Sequence, residues 1–161
     1  MAIISPKRFT RSRINQTEKT RQILTFKAGQ EWFAFSINAV VQVVSHCDIR
    51  TDSTAGANLT TYRNRELLII NLLAQVFDRP RLDQIAHHEK PAPYLMVIKT
   101  QTGTLFGILI EQPPCVRRVA LTAFTQLSID YASRINIKCV HSLVKAEDQP
   151  VCLLLNPNEL L

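Results

Sequence analysis

One hydrophobic pattern recurs in order along the chain, and it limits the fold more than any other feature. Ile23 to Val44, ILTFKAGQEWFAFSINAVVQVV, reads as a strand, a turn at Gly29, a second strand and a β-branched run; Leu95 to Val119, LMVIKTQTGTLFGILIEQPPCVRRV, repeats that order around Gly103. Each unit is followed by an aliphatic stretch that ends in Asn and a Leu-rich turn of helix: Arg65 to Phe77, RELLIINLLAQVF, with Asn71, and Gln149 to Leu161, QPVCLLLNPNELL, with Asn156. Two such β units are each too small to bury their apolar faces alone, so they must pack on one another. The expectation is a pseudo-repeat of two small, mainly antiparallel β-barrels with only short helices. The prolines at 80, 91 and 93, with the charged residues 81–90, mark the linker between them.

Charge distribution separates a tail from this body. Residues 1–27 hold Lys7, Arg8, Arg11, Arg13, Lys19, Arg21 and Lys27 against the single acid Glu18, which accounts for the whole net charge of +6; the remaining 12 bases and 12 acids cancel. Without a strong apolar period, residues 1–20 read as a basic, flexible N-terminal arm. A small β-barrel protein that binds nucleic acid through that arm is the alternative function, but a balanced body lacks the basic groove it would need. No stretch approaches the roughly 18 apolar residues of a membrane span, and the N-terminus is too short in apolar residues for a secretory signal. The expected location is cytoplasmic. Cys47, Cys115, Cys139 and Cys152 form no CxxC pair and read as reduced, packed thiols.

Catalytic chemistry finds little support. His46 and Cys47 are adjacent and would point to opposite faces of a strand; Cys139 and His141 share a face, which leaves ordinary packing as the expectation and zinc as a remote alternative. None of the four glycines forms a phosphate-cradling loop. Period-2 alternation puts Phe33, Phe35 and Ile37 on one strand face and Trp32 on the other, where it caps the barrel's second face or anchors a partner.

The hairpin LTFKAGQEWFAFSINAVVQVV, the unit YRNRELLIINL, the second hairpin TGTLFGILIEQPPCVRRV and the final PVCLLLNPNELL resemble the CheW family of bacterial chemotaxis coupling proteins over residues 22–161. The resemblance implies an all-β fold of two five-stranded SH3-like barrels. The first spans about 21–80 and the second about 92–148, and the C-terminal strand 149–161 packs back near their interface. It also implies a non-catalytic adaptor, without cofactor, metal or small-molecule substrate. Its partners would be the regulatory domain of a CheA-type histidine kinase and the signalling tip of a methyl-accepting chemoreceptor, with recruitment to membrane receptor arrays but no membrane insertion.

Site residues follow the same resemblance. Thr61-Tyr62-Arg63-Asn64 occupies the family's Asn-Leu-Arg-Gly turn, so Arg63 matches the arginine near the receptor-binding groove between the barrels. Val40, Gln42, Tyr62, Asn64 and Arg65 complete that groove, and Gly107 and Glu111 mark a partner surface on the second barrel. Departures from the pattern are specific. Asn64 replaces the turn glycine, Leu68 a proline and Asn71 an aspartate, while Arg65 adds a positive charge where the family has an apolar or neutral residue.

Overall fold

The computed structural model describes residues 19–45, 47–52, 57–77 and 94–161. Most of the basic arm, His46, Gly56 and the linker with His87 and His88 lie outside them.

Among the described residues, twelve strands form two six-stranded sheets. They are β1 (Thr20–Ala28), β2 (Glu31–Ser36), β3 (Val40–Ser45), β4 (Arg50–Asp52), β5 (Ala57–Tyr62), β6 (Arg65–Ile69), β7 (Tyr94–Lys99), β8 (Leu105–Ile110), β9 (Cys115–Ala120), β10 (Phe124–Thr125), β11 (Val140–Val144) and β12 (Cys152–Leu155). The first sheet runs β9-β1-β2-β12-β11-β10 and the second β3-β7-β8-β6-β5-β4. All pairings are antiparallel except β2 with β12 and β6 with β8.

The two orders are one topology, and it matches the repeat. A hairpin (β1-β2 or β7-β8) is flanked on one side by the third strand of the other unit, and on the other by a parallel strand that leads into the recurring Asn of the pattern. Strand pairing does not follow the sequential division at 80–92. The hairpin β1-β2 joins β9 to β12, and β7-β8 joins β3 to β6, so each sheet combines a hairpin from one half of the chain with four strands from the other.

Chain connectivity shows that each sheet curls. A flat six-stranded sheet is about 24 Å across. Its edge strands β3 and β4 are separated by only four residues, 46–49, which reach at most about 18 Å. Edges β9 and β10 are joined by the 3-10 turn Leu121–Ala123. If β3 with β4, and β9 with β10, are each taken as one bent strand, each barrel has the expected five staves.

Alternation then divides the buried strand faces among three cores. Leu24, Phe26, Phe33, Phe35, Met96, Ile98, Phe106, Ile108, Leu153 and Leu155 form one cluster shared by the two sheets, where Phe26 stacks on Phe33 and Phe35 with ring centroids 5.8 and 5.7 Å apart. Their neighbours point the other way: Ile23, Ala34, Cys152 and Leu154 fill the first barrel, and Leu67, Ile69, Leu95 and Val97 the second. Trp32 lies half-buried against the first barrel's small cluster, with the Lys27 ammonium 6.0 Å from its ring. Aromatic burial at the shared seam contributes beyond apolar area, so that seam dominates the stability of the pair.

Each parallel strand stops at an Asn that caps the next turn. Asn71 Oδ1 accepts from the Ala74 amide at 3.2 Å to open the helix Leu72–Phe77, and Asn156 Oδ1 accepts from Asn158 at 3.2 Å to open Pro157–Glu159. Capping explains why Asn serves at position 71 without a carboxylate's charge.

Candidate functional site

The polar sequence Arg63-Asn64-Arg65-Glu66 is the tip of the β5-β6 hairpin. Register pairs Tyr62 with Arg65, leaving a two-residue turn of Arg63 and Asn64 whose φ angles are 49° and 61°. Two positive φ values are what a tightly twisted two-residue hairpin demands, and glycine or asparagine meets that demand with least strain. Asn64 fits. Arg63 does not, and a non-glycine residue held left-handed costs roughly 1–2 kcal/mol. A bulky residue kept at such a position suggests a use for its side chain. Its guanidinium carbon stands 5.2 Å from the Tyr62 ring centroid, a cation–π contact.

Beneath this turn, the end of the second barrel opens into a cleft of ≈ 580 Å³. Tyr62, Arg63, Arg65 and Glu66 form one side; Gly103 and Thr104 of the β7-β8 turn form the other; Val41, Leu67 and Leu105 supply apolar lining. Tyr62 is buried, and its hydroxyl donates to Gln42 Oε1 at 2.7 Å. That bond joins β5 to β3, which are not neighbours in the sheet, and so closes the barrel beside the cleft. The β3 ladder is irregular between Val40 and Gln42. The irregularity turns Val41 outward, 38% exposed, toward the cleft.

The cleft gathers Tyr62, Arg63 and Arg65, with Gln42 bonded to its wall and Asn64 exposed on its tip. Val40 is elsewhere: it packs half-buried against the shared core. The expected surface position of Gly107 is corrected, because Gly107 is buried in β8 opposite Ile69. A Cβ there would stand 2.7 Å from Leu95 Cδ1 on the antiparallel neighbour β7 and 3.1 Å from Leu67 Cδ2 on the parallel neighbour β6, so side chains from both flanking strands crowd the position and favour glycine. Glu111 is exposed just beyond β8. Sequence reasoning missed Val41, Glu66, Leu67, Thr104 and Leu105. Gly103, read only as a turn, has φ 90° and brings Thr104 to the rim, so the turn itself was the available signal.

Among the described residues, Cys139 and His141 do not make a reactive site. Cys139 is buried, and its Sγ donates to the Glu159 carbonyl at 3.5 Å; burial, then the Glu159 charge, pushes its thiol up, away from the reactive thiolate. His141 is exposed, and His46 lies outside the described residues. Burial also raises the Cys47 thiol, assisted by Asp48, and the Cys152 thiol, opposed by Arg117. Among the described residues, no three His, Cys, Asp or Glu side chains are grouped to hold a metal ion, and no helix is long and apolar enough to cross a membrane.

The family profile described as CheW-like domain matches residues 22–161 of the chain. No curated protein matches it significantly. Among solved structures, the scaffolding protein TtCheW from Thermoanaerobacter tengcongensis is similar in fold, with a TM-score of 0.65 at 14% identity, over 86% of this chain and 90% of that one.

Proposed function

Since the chain belongs to the CheW-like domain family, we propose that it is a non-catalytic adaptor that couples methyl-accepting chemoreceptors to a CheA-type histidine kinase. The observation that carries this reading is the cleft at the β5-β6 tip. Arg63, the position that resembles the family's groove arginine, is held there in a strained backbone conformation beside apolar lining. A guanidinium fork over a ring, next to exposed Val41, suits a protein partner that brings an apolar anchor and a hydrogen-bond acceptor.

The receptor's signalling tip is assigned to this cleft, with Gln42, Tyr62, Arg63, Asn64 and Arg65 in or beside it and Val40 supporting it from the core. The kinase's regulatory domain is assigned to another surface, on which Glu111 remains available while Gly107 acts only through packing. The adaptor works in the cytoplasm, recruited to receptor arrays.

Reconstitution tests the reading. A CheA-type kinase and a receptor signalling fragment from the same cell are mixed with and without this protein, and kinase autophosphorylation is followed. Receptor-dependent control of the kinase should appear only when the protein is added. Equal receptor control in its absence, or no control in its presence, contradicts the assignment.

A further inference from the structure

Arg65 carries information that the family resemblance does not supply. It is exposed, pairs across the hairpin with Tyr62, and lines the same cleft as Arg63. Two arginines of the two sheets are engaged internally: Arg50 donates to Thr61 Oγ1 at 3.0 Å, and Arg117 to Thr25 Oγ1 at 3.2 Å. Arg63 rests over Tyr62. Arg65 has no such contact with the described residues. The cleft therefore presents two guanidiniums against one carboxylate, Glu66, above Val41, Leu67 and Leu105.

This arrangement specifies chemistry for the occupant. A fixed fork favours a planar carboxylate over a neutral amide, and two forks on one hairpin tip favour two carboxylates. The apolar lining favours an aliphatic or aromatic side chain between them. The cleft is rimmed by two hairpin turns at the end of a barrel, so it admits a blunt turn more readily than the flank of a long helix.

We propose that Arg65 is a partner-selecting residue: with Arg63, it makes the cleft specific for an acidic turn at the receptor tip that presents two carboxylates beside one apolar side chain. The proposal rests on the receptor-coupling reading above. Arg65 sets which receptor is accepted through charge, and Arg63 sets the register. Charge at an exposed rim acts mainly on encounter rate and on discrimination, so its effect falls with added salt.

The test uses the full chain and receptor signalling fragments from the same cell, with binding followed at low and at physiological salt. Arg65→Ala should weaken binding about fivefold at low salt and flatten the salt dependence, and Arg65→Glu should weaken it further. Changing a tip Glu of the receptor to Gln should lower wild-type affinity but leave Arg65→Ala unaffected. Placing Arg or Lys at that tip position should restore binding to Arg65→Glu. Both variants should bind the kinase regulatory domain as wild type does, because Arg65 is exposed and lies away from the cores. Failure of the wild-type protein to bind any receptor fragment would remove the coupling reading itself. Receptor binding by wild type that Arg65→Ala and Arg65→Glu both retain in full would overturn this proposal alone. Displacement of the receptor by a single-stranded oligonucleotide, and not by free glutamate-rich peptide, would also overturn it.

Discussion

The Tyr62 hydroxyl donates a 2.7 Å hydrogen bond to Gln42 Oε1 across two strands that are not sheet neighbours. It closes the second barrel at the cleft and holds the ring over which Arg63 lies. Tyr62→Phe keeps the ring but leaves Gln42 without this donor, which should destabilise by about 1 kcal/mol and lower Tm by about 3 °C. A double-mutant cycle with Gln42→Ala should show coupling of about the same size. Additive losses would mean that the bond contributes nothing.

Gly107 is predicted to be intolerant for packing reasons. Gly107→Ala places a methyl group 2.7 Å from Leu95 Cδ1, and overpacking of this kind destabilises by about 1–3 kcal/mol. Adding Leu95→Val, which removes volume at the clash, should recover part of that loss in urea denaturation. No recovery would place the strain in the β6-β8 backbone instead.

Strain at Arg63 predicts a trade between stability and docking. Arg63→Gly relieves the left-handed φ of 49°, and should raise stability by about 1 kcal/mol after the greater flexibility of glycine in the unfolded chain is allowed for. It should at the same time weaken receptor binding, as should Arg63→Glu, with kinase binding nearly intact. A glycine variant that binds receptor normally would contradict the role given to the guanidinium.

Buried thiols set an alkaline limit. Cys47, Cys139 and Cys152 have folded-state thiol pKa values raised chiefly by burial. Their protons leave the unfolded chain first, near the ordinary thiol value of about 8.5. Above that pH the unfolded state binds fewer protons than the native state, so stability, full below it, falls as pH rises. Denaturant midpoints should fall between about pH 8 and 10, and less so in a Cys139→Ala variant corrected for its packing loss. Cys115, the exposed thiol, should react first with a maleimide, well before Cys139.

The repeat was legible because its strands differ sharply from their turns: Gly29 and Gly103 both have positive φ, and Asn71 and Asn156 both cap a turn. The exchange of hairpins was not legible. Ile23 and Leu24 are both buried, one in the first barrel and the other in the shared seam. A strand buried on both faces carries no alternation to say which neighbour it pairs with. Gly107 illustrates the same gap, since its sequence context is apolar on either side and only the close approach of Leu95 and Leu67 from the two flanking strands shows why it lacks a side chain. At the cleft, Arg63 and Arg65 could be named from the turn, but Val41 could not, because a ladder irregularity reverses the face that simple alternation assigns.

The most direct measurement is calorimetric titration of this protein, full length and lacking residues 1–20, into the regulatory double-barrel domain of a CheA-type kinase from the same cell. Binding that survives the truncation and changes little with salt is the predicted result, because the contact belongs to the barrels. Absence of binding to any such domain would contradict the adaptor assignment. Binding that disappears with the arm would contradict its placement on the barrels.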